Sequence, residues 1–183
     1  MKLLVMGATK EIGRRVVDEA LARGHRVRAM ARSADTLPGD VEELEPFPGD
    51  ALDPDDVRRA LEGVDVVVQA LGIRESVAML WEEVTLFSRA TAVLLPAMEE
   101  QGVSRLVAVT GFGAGDSRRA MSLLERAGHR AVLGKPYADK DRQEAMIEAS
   151  DLDWTILRPT ILTKGERTGR ARVLDDPRDW RNG

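Results

Sequence analysis

Cysteine is absent from the 183 residues, and histidine occurs only twice. Without thiols there can be no disulfide, no thiolate metal site and no cysteine nucleophile, so a reducing compartment such as the cytoplasm fits. His25 and His129 offer no ligand set at metal spacing, and no metal is expected. Each reads as a surface residue rather than a proton donor. Long apolar runs are missing too: residues 64–71 and 90–98 fall well short of the roughly 20 needed to span a bilayer, and no signal peptide is visible. The expectation is a soluble chain without a membrane partner. Nor is there an excess of charge, since 27 Lys and Arg against 31 Asp and Glu give −4 and no reason to expect nucleic acid as partner.

The charge that is present is unevenly placed. Residues 1–32 hold eight Lys or Arg against three acids, whereas residues 33–66 hold eleven acids against two bases. A locally positive N-terminal unit suits a small anionic ligand, although most of its charges, Arg15, Arg23 and Arg26 among them, read as solvated. The length suits a single domain spanning 1–183, with no repeat and no low-complexity tract.

Along the chain, strand-like and helix-like segments alternate. "KLLVM" (2–6) is a short apolar run, and 11–24 then spaces Ile12, Val16, Ala20 and Leu21 for a helix closed by Gly24. Residues 26–31 read as a second strand, and 42–50 hold a third, weakened by Pro46 and Pro48. Pro54 opens a helix over 53–63, and 64–72 is apolar on both faces, as a strand covered on two sides should be. A helical stretch over 75–101 should kink or break at Pro96. Residues 105–111 form the next strand, 117–127 and 138–149 two helices, and 154–159 a sixth strand in which Trp154 packs. Trp81 and Trp180 also read as packing residues, and Arg158 should pair with an acid at the strand end. Such alternation implies an α/β protein with a Rossmann-type, doubly wound parallel sheet. From about residue 164 the chain is irregular, poor in apolar residues and without an amphipathic helix, so it is expected to stop short of a natural domain end and to lack a C-terminal helix.

The stretch "MGATKEIGRR" (6–15) joins the first strand to the first helix. In a nucleotide-binding βαβ unit one glycine permits the sharp turn, a second lets backbone approach the phosphates, and a third lets helix and strand pack closely. Gly7 and Gly13 keep the outer two. Lys10 holds the middle position, or Glu11 if the frame is read one residue later. A non-glycine forced to positive φ there costs roughly 1 kcal/mol, and the Lys10 ammonium can return a contact to a phosphate. The helix start at Ile12 presents unpaired amides and the positive dipole end to a pyrophosphate. At the end of the second strand, Arg32 and Ser33 stand where an NAD site usually has an acid. They point to the 2′-phosphate of NADP, although Arg32 could instead stack on adenine. Asp50, Gly72 with Arg74, Thr110 and Pro159 all fall at strand ends along the path of a dinucleotide.

Together "GATKEIG", "ARS", "GDALD", "ALG", "VAVTGFGAGDS", "GKPYADKDRQEAMIEASDLDWTILRP" and "TGRARV" resemble the atypical short-chain dehydrogenase/reductases over nearly the whole chain. The nearest likeness is to the small NAD(P)H-binding reductases of the biliverdin IXβ and flavin reductase kind, with NmrA-like relatives. The resemblance implies NADP(H) as preferred cofactor, with NAD(H) as the other option. The backbone from Gly7 through Thr9, Lys10, Glu11 and Ile12 to Gly13 would hold pyrophosphate, and Arg32 with Ser33 the 2′-phosphate. Asp50 and Ala51 would take the adenine, while Leu71, Gly72 and Arg74 line the middle. Thr110, Lys140 and Pro159 to Ile161 would surround the nicotinamide half. Where Lys10 sits, the family usually has glycine.

The Tyr-dependent branch of that superfamily uses Tyr-x-x-x-Lys, in which the lysine lowers the tyrosine's pKa. Here the only tyrosine is Tyr137, and Lys140 follows after three residues rather than four. Three positions turn a helix by about 300° and four by about 400°, so the lysine should lean to the other side. Tyr137 and Lys140 are the catalytic candidates, with Tyr137 either a proton donor or a pocket wall and Lys140 touching nicotinamide ribose or substrate. Without a dedicated acid, the chemistry expected is hydride delivery to a small conjugated acceptor: a flavin, a quinone or an enone-like carbonyl. The alternative is a non-catalytic NADP(H) sensor of the NmrA-like kind. Oligomeric state is not encoded in any of these motifs.

Overall fold

A computed structural model describes residues 1–73, 83–160, 162, 169 and 171–181. Six parallel strands lie in the order β3-β2-β1-β4-β5-β6: β1 Lys2–Met6, β2 Arg26–Ala31, β3 Leu44–Pro48, β4 Val66–Gln69, β5 Arg105–Val109 and β6 Asp153–Leu157. Between them run α1 Glu11–Ala22, α2 Pro54–Leu61, α3 Leu86–Glu100 and α4 Leu123–Glu148. This is the doubly wound Rossmann order, whose direction reverses between β1 and β4. All six strands fall where the apolar runs predict them.

The central strands are apolar on both faces because helices cover both. Val5, Ala29 and Val68 pack with Val17 and Ala20 of α1. On the other face Leu4, Met6, Val67 and Leu106 pack with Leu94 and Met98 of α3 and Ile147 of α4. Polar devices fix the helix ends. Asp53 caps α2 by accepting from the amides of Asp55 at 2.9 Å and Asp56 at 3.0 Å. At the other end of α2, buried Arg28 donates to the carbonyls of Arg59, Ala60 and Glu62, in the last turn where helix carbonyls run short of amide partners.

Three expectations are corrected. Helix α3 begins only at Leu86 and runs through Pro96 without a break; residues 74–82, with Trp81, lie outside the described ones. The two helices expected at 117–127 and 138–149 are a 3-10 turn, Gly115–Ala120, followed by one 26-residue helix, α4, that continues through Pro136. A capping box of Ser122 and Glu125 starts it, and burial of the Pro136 ring offsets the roughly 3 kcal/mol that an interior proline costs. Trp154 is 38% exposed rather than buried, because β6 is the last strand and turns one side outward. Among the described residues no helix is long and apolar enough to cross a membrane.

Candidate functional site

Because every strand is parallel, the described loop residues predicted to meet a ligand, from Gly7 to Pro159, fall on one edge, at the strand C-termini. Gly7 ends β1 with φ +87°, and a Cβ there would stand 2.5 Å from the Ala70 carbonyl oxygen at the end of β4. A Cβ on Gly13 would overlap the Gly7 carbonyl oxygen. Both outer glycines are therefore required by contact. The amides of Gly7 and Ala8 donate to Met30 O at 2.9 and 3.2 Å, tying the turn to β2. The middle position resolves in favour of the later frame: Lys10 is extended at φ −139°, and it is Glu11 that takes positive φ, at 47°. Helix α1 starts from Lys10 without any side-chain cap, in contrast to α2 and α4. Its first-turn amides and positive dipole end thus face the crevice beside the point of reversal.

Thr9 stands beside Ser33 across the turn, their hydroxyl oxygens 3.3 Å apart. Arg32 is exposed at the end of β2 and makes no ion pair among the described residues. Asp50 closes β3 in a turn, its carboxylate accepting from Leu52 N at 3.0 Å and its own amide donating to Asp56. Ala51 and Leu71 are half-buried against the core, and Gly72 is exposed, with nothing within 4 Å of where its Cβ would be. Arg74 and Ile161 lie outside the described residues. An uncapped helix start between two contact-forced glycines, flanked by hydroxyls and an uncommitted arginine, fits a pyrophosphate-bearing coenzyme.

At the far end of the edge the catalytic candidates converge. Thr110, just past β5, donates its hydroxyl to buried Glu144 at 2.6 Å and accepts Lys140 Nζ on its carbonyl at 2.5 Å. Arg158 pairs with Glu144 through Nε at 3.1 Å and Nη2 at 2.8 Å, the acid expected for it. The spacing of three does not send Lys140 to the other side: its Nζ lies 5.3 Å from the Tyr137 ring centroid, and the Tyr137 hydroxyl stands where a Gly111 Cβ would be. Burial, and then Glu144, push the Tyr137 pKa up, so its hydroxyl stays protonated. It makes no hydrogen bond among the described residues. Pro159 accepts from Phe112 N at 2.9 Å, joining the ends of β5 and β6.

A cavity of about 340 Å³ opens beside Tyr137, with Phe112, Met121, Leu133 and Pro159 in its walls. His129 lines it too, and is not the surface residue expected: its ring meets Tyr137 edge-on at 4.2 Å and its Nε2 is buried, 2.8 Å from the position of a Gly113 Cβ. Burial, and then Arg118, lower its pKa, which leaves it neutral. A larger hollow of about 530 Å³, around Pro96, Val103 and Leu152, lies at the opposite edge of the sheet and holds none of these groups. Sequence reading missed Glu144, Phe112 and Met121. Glu144 had a signal, since it follows Lys140 by four on one helix face.

Burial drives the Lys140 pKa down to about 8, with Glu144 pulling it up. An unfolded chain restores it to roughly 10.4, so between those values the unfolded state binds more protons and stability climbs as pH rises. Lys140 alone should add about 3 kcal/mol between pH 8 and 10.4, and Lys140→Met should remove that slope. Chemical denaturation of both proteins across this window checks it; parallel curves would refute the assignment.

A parallel sheet in this order, with an uncapped first helix at its reversal point and a Thr–Lys–Tyr group further along, defines a nucleotide-coenzyme protein of the Rossmann class. Within that class the chain belongs to the NAD(P)H-binding family, whose model matches residues 7–183. It is 34% identical over 174 residues to sterol demethylase protein B of Methylococcus capsulatus, covering 88% of this chain and 52% of that protein. Photosystem II assembly factor Ycf39 of Synechocystis is 25% identical over 195 residues, covering 100% of this chain and 52% of the factor. The chain thus spans about half the length of these curated relatives. Among solved structures, ChuY, an anaerobillin reductase of Escherichia coli, superposes with a TM-score of 0.78 at 27% identity, covering 96% of this chain and 81% of ChuY. The Rossmann fold and the NAD(P)H-binding likeness read from the sequence agree with the family model and with the superposition on ChuY.

Proposed function

We propose that this protein is an NAD(P)H-dependent reductase, NADP(H) preferred, that passes hydride to a small conjugated acceptor. The observation that carries the reading is the uncapped start of α1, held between Gly7 and Gly13 on the same edge as Thr110, Lys140 and the Tyr137 cavity. Bound NAD(P)H supplies the hydride. The chain supplies position: amides from Thr9 to Gly13 and the Lys10 ammonium take pyrophosphate, Arg32 and Ser33 the 2′-phosphate, Asp50 and Ala51 the adenine. Leu71 and Gly72 line the middle, and Thr110 and Pro159 the nicotinamide half. Lys140, held at the Thr110 carbonyl, would contact the nicotinamide ribose, and neutral Tyr137 would wall the acceptor side with a hydroxyl able to donate. The likeness to ChuY, itself a reductase, supports this.

The second reading is a non-catalytic NADP(H) sensor. An assembly factor among the relatives favours it, as does a Tyr137 whose acidity is weakened rather than enhanced. The two separate when protein is mixed with NADPH and flavins, quinones or enones and the nicotinamide absorbance is followed. Oxidation above background is expected; tight coenzyme binding without oxidation favours the sensor. Arg32→Ala should weaken NADPH binding by roughly ten- to a hundred-fold, the worth of one charged contact at about 1.5–3 kcal/mol. NADH binding should barely change, and equal losses for both would remove Arg32 from the 2′-phosphate.

A further inference from the structure

Asp139 is fully buried, and neither the coenzyme seat nor the Thr110–Glu144–Arg158 chain uses it. A buried carboxylate must be met by donors, or it costs stability. Its Oδ2 accepts from the amides of Phe87 at 2.8 Å and Ser88 at 3.3 Å, and its Oδ1 accepts from the Ser88 hydroxyl, with Arg142 Nη1 3.6 Å away. Phe87 and Ser88 are the second and third residues of α3, whose amides an N-cap side chain ordinarily takes. Thr85, at the N-cap itself, takes neither. The cap of α3 therefore comes from α4, and its negative charge sits at the positive end of the α3 dipole. One turn further along both helices, Gln143 of α4 donates to Gln69 at 2.8 Å, and Gln69 bonds Thr91 of α3 at 3.1 Å, all three side chains buried. Hydrogen bonds are directional and apolar contact is not, so these two ties fix the register of α3 against α4.

We propose, resting on the reductase reading, that Asp139 is a positioning residue: by capping α3 from α4 it seats the Phe87 ring against Lys140 and holds the ammonium where the nicotinamide ribose would meet it. Phe87 is 3% exposed, and its ring centroid lies 5.0 Å from Lys140 Nζ, with the Tyr137 centroid at 5.3 Å. Phe87 and Lys140 belong to different helices, so the distance between them depends on the register that Asp139 sets. The rings attract the ammonium and shield it from water, and burial is the main cause of its lowered pKa. Glu144, which pulls that pKa up, bonds Thr110 and Arg158 rather than α3. A change at Asp139 therefore alters the rings and leaves this acid in place. Arg142, the other charge at the tie, also reaches Glu83 at 3.4 Å.

The test is the titration of Lys140 itself, followed by carbon NMR at its Cε in the full chain without coenzyme, with Lys140→Met to assign the signal. The wild type should titrate at about 8. Asp139→Ala should move the midpoint up toward the ordinary lysine value of roughly 10.4 and weaken NADPH binding roughly five-fold or more. Asp139→Asn keeps an acceptor for both amides and should restore both properties. Combining Asp139→Ala with Thr85→Asp gives α3 a cap of its own; the melting temperature should recover while the Lys140 midpoint stays high. A double variant that regains the wild-type midpoint too, or an Asp139→Ala protein whose Lys140 titrates like the wild type, makes Asp139 a helix cap only and overturns the proposal. Should Asp139→Ala not fold, Phe87→Leu withdraws the ring while keeping an apolar side chain, and an unmoved midpoint there is equally fatal. A wild type that binds no NADPH sinks the reductase reading instead, and the Lys140 midpoints still decide whether Asp139 seats the ammonium.

Discussion

Gly13→Ala is expected to weaken NADPH binding by a hundred-fold or more, equivalent to about 3 kcal/mol. The added methyl overlaps the Gly7 carbonyl oxygen, which is backbone and cannot rotate out of the way. Helix α1 must therefore withdraw from the β1 turn, taking its first-turn amides with it, and those amides are the proposed seat of the pyrophosphate. Overpacking of this kind also costs about 1–3 kcal/mol of stability, so the variant should fold but melt earlier. Gly128→Ala is the matched control: nothing lies within 4 Å of its Cβ position, in the exposed half of α4. It should leave coenzyme affinity alone and raise stability by up to about 1 kcal/mol. Calorimetry with NADPH distinguishes the two. Wild-type affinity in folded Gly13→Ala would mean that the turn does not carry the anion.

The contrast between these two glycines shows what a sequence can disclose. The role of Gly13 was legible because a fixed spacing after a strand encodes a backbone contact. All six strands were legible as well: the central ones because a strand covered on both faces is apolar throughout, and the edge strands β3 and β6 as short runs between turn residues. What escaped was set by contacts distant along the chain. The sequence reads as two helices, 117–127 and 138–149, yet α4 runs unbroken through Gly128, Gly134 and Pro136, started by the capping box at Ser122 and supported by the tertiary burial of Pro136. The middle of the glycine turn could be either Lys10 or Glu11, because only the folded backbone decides which residue absorbs the positive φ. His129 looked like a surface residue because nothing local reveals that Gly113 leaves room for an imidazole. The Tyr137 cavity was out of reach for the same reason: Phe112, Met121, Leu133 and Pro159 are spread over 48 positions and meet only when β5, α4 and β6 assemble.

The second large effect is expected at Glu144, which sequence reading passed over. Its side chain is 2% exposed and accepts three hydrogen bonds, one from Thr110 and two from Arg158. Glu144→Ala strips the partner from Arg158, whose own side chain is 15% exposed, and from the Thr110 hydroxyl. Breaking a buried pair by removing one member costs about 3–5 kcal/mol. The low end applies, since Arg158 keeps Glu148 at 3.6 Å and the Trp180 ring at 5.3 Å. A loss of about 3 kcal/mol lowers the melting temperature by roughly 6–12 °C in a chain of this size. The double variant Glu144→Leu/Arg158→Met should recover most of it, because replacing both charges leaves no buried ion uncompensated. Glu144→Gln carries the argument back to the site. It keeps an acceptor for Thr110 but removes the negative charge that holds the Lys140 pKa up. Lys140 should then lose its proton at lower pH, and any alkaline limb in coenzyme binding should move down with it. A Glu144→Gln protein whose binding profile coincides with the wild type would separate Lys140 from the Thr110–Glu144–Arg158 chain and leave Glu144 a purely structural acid.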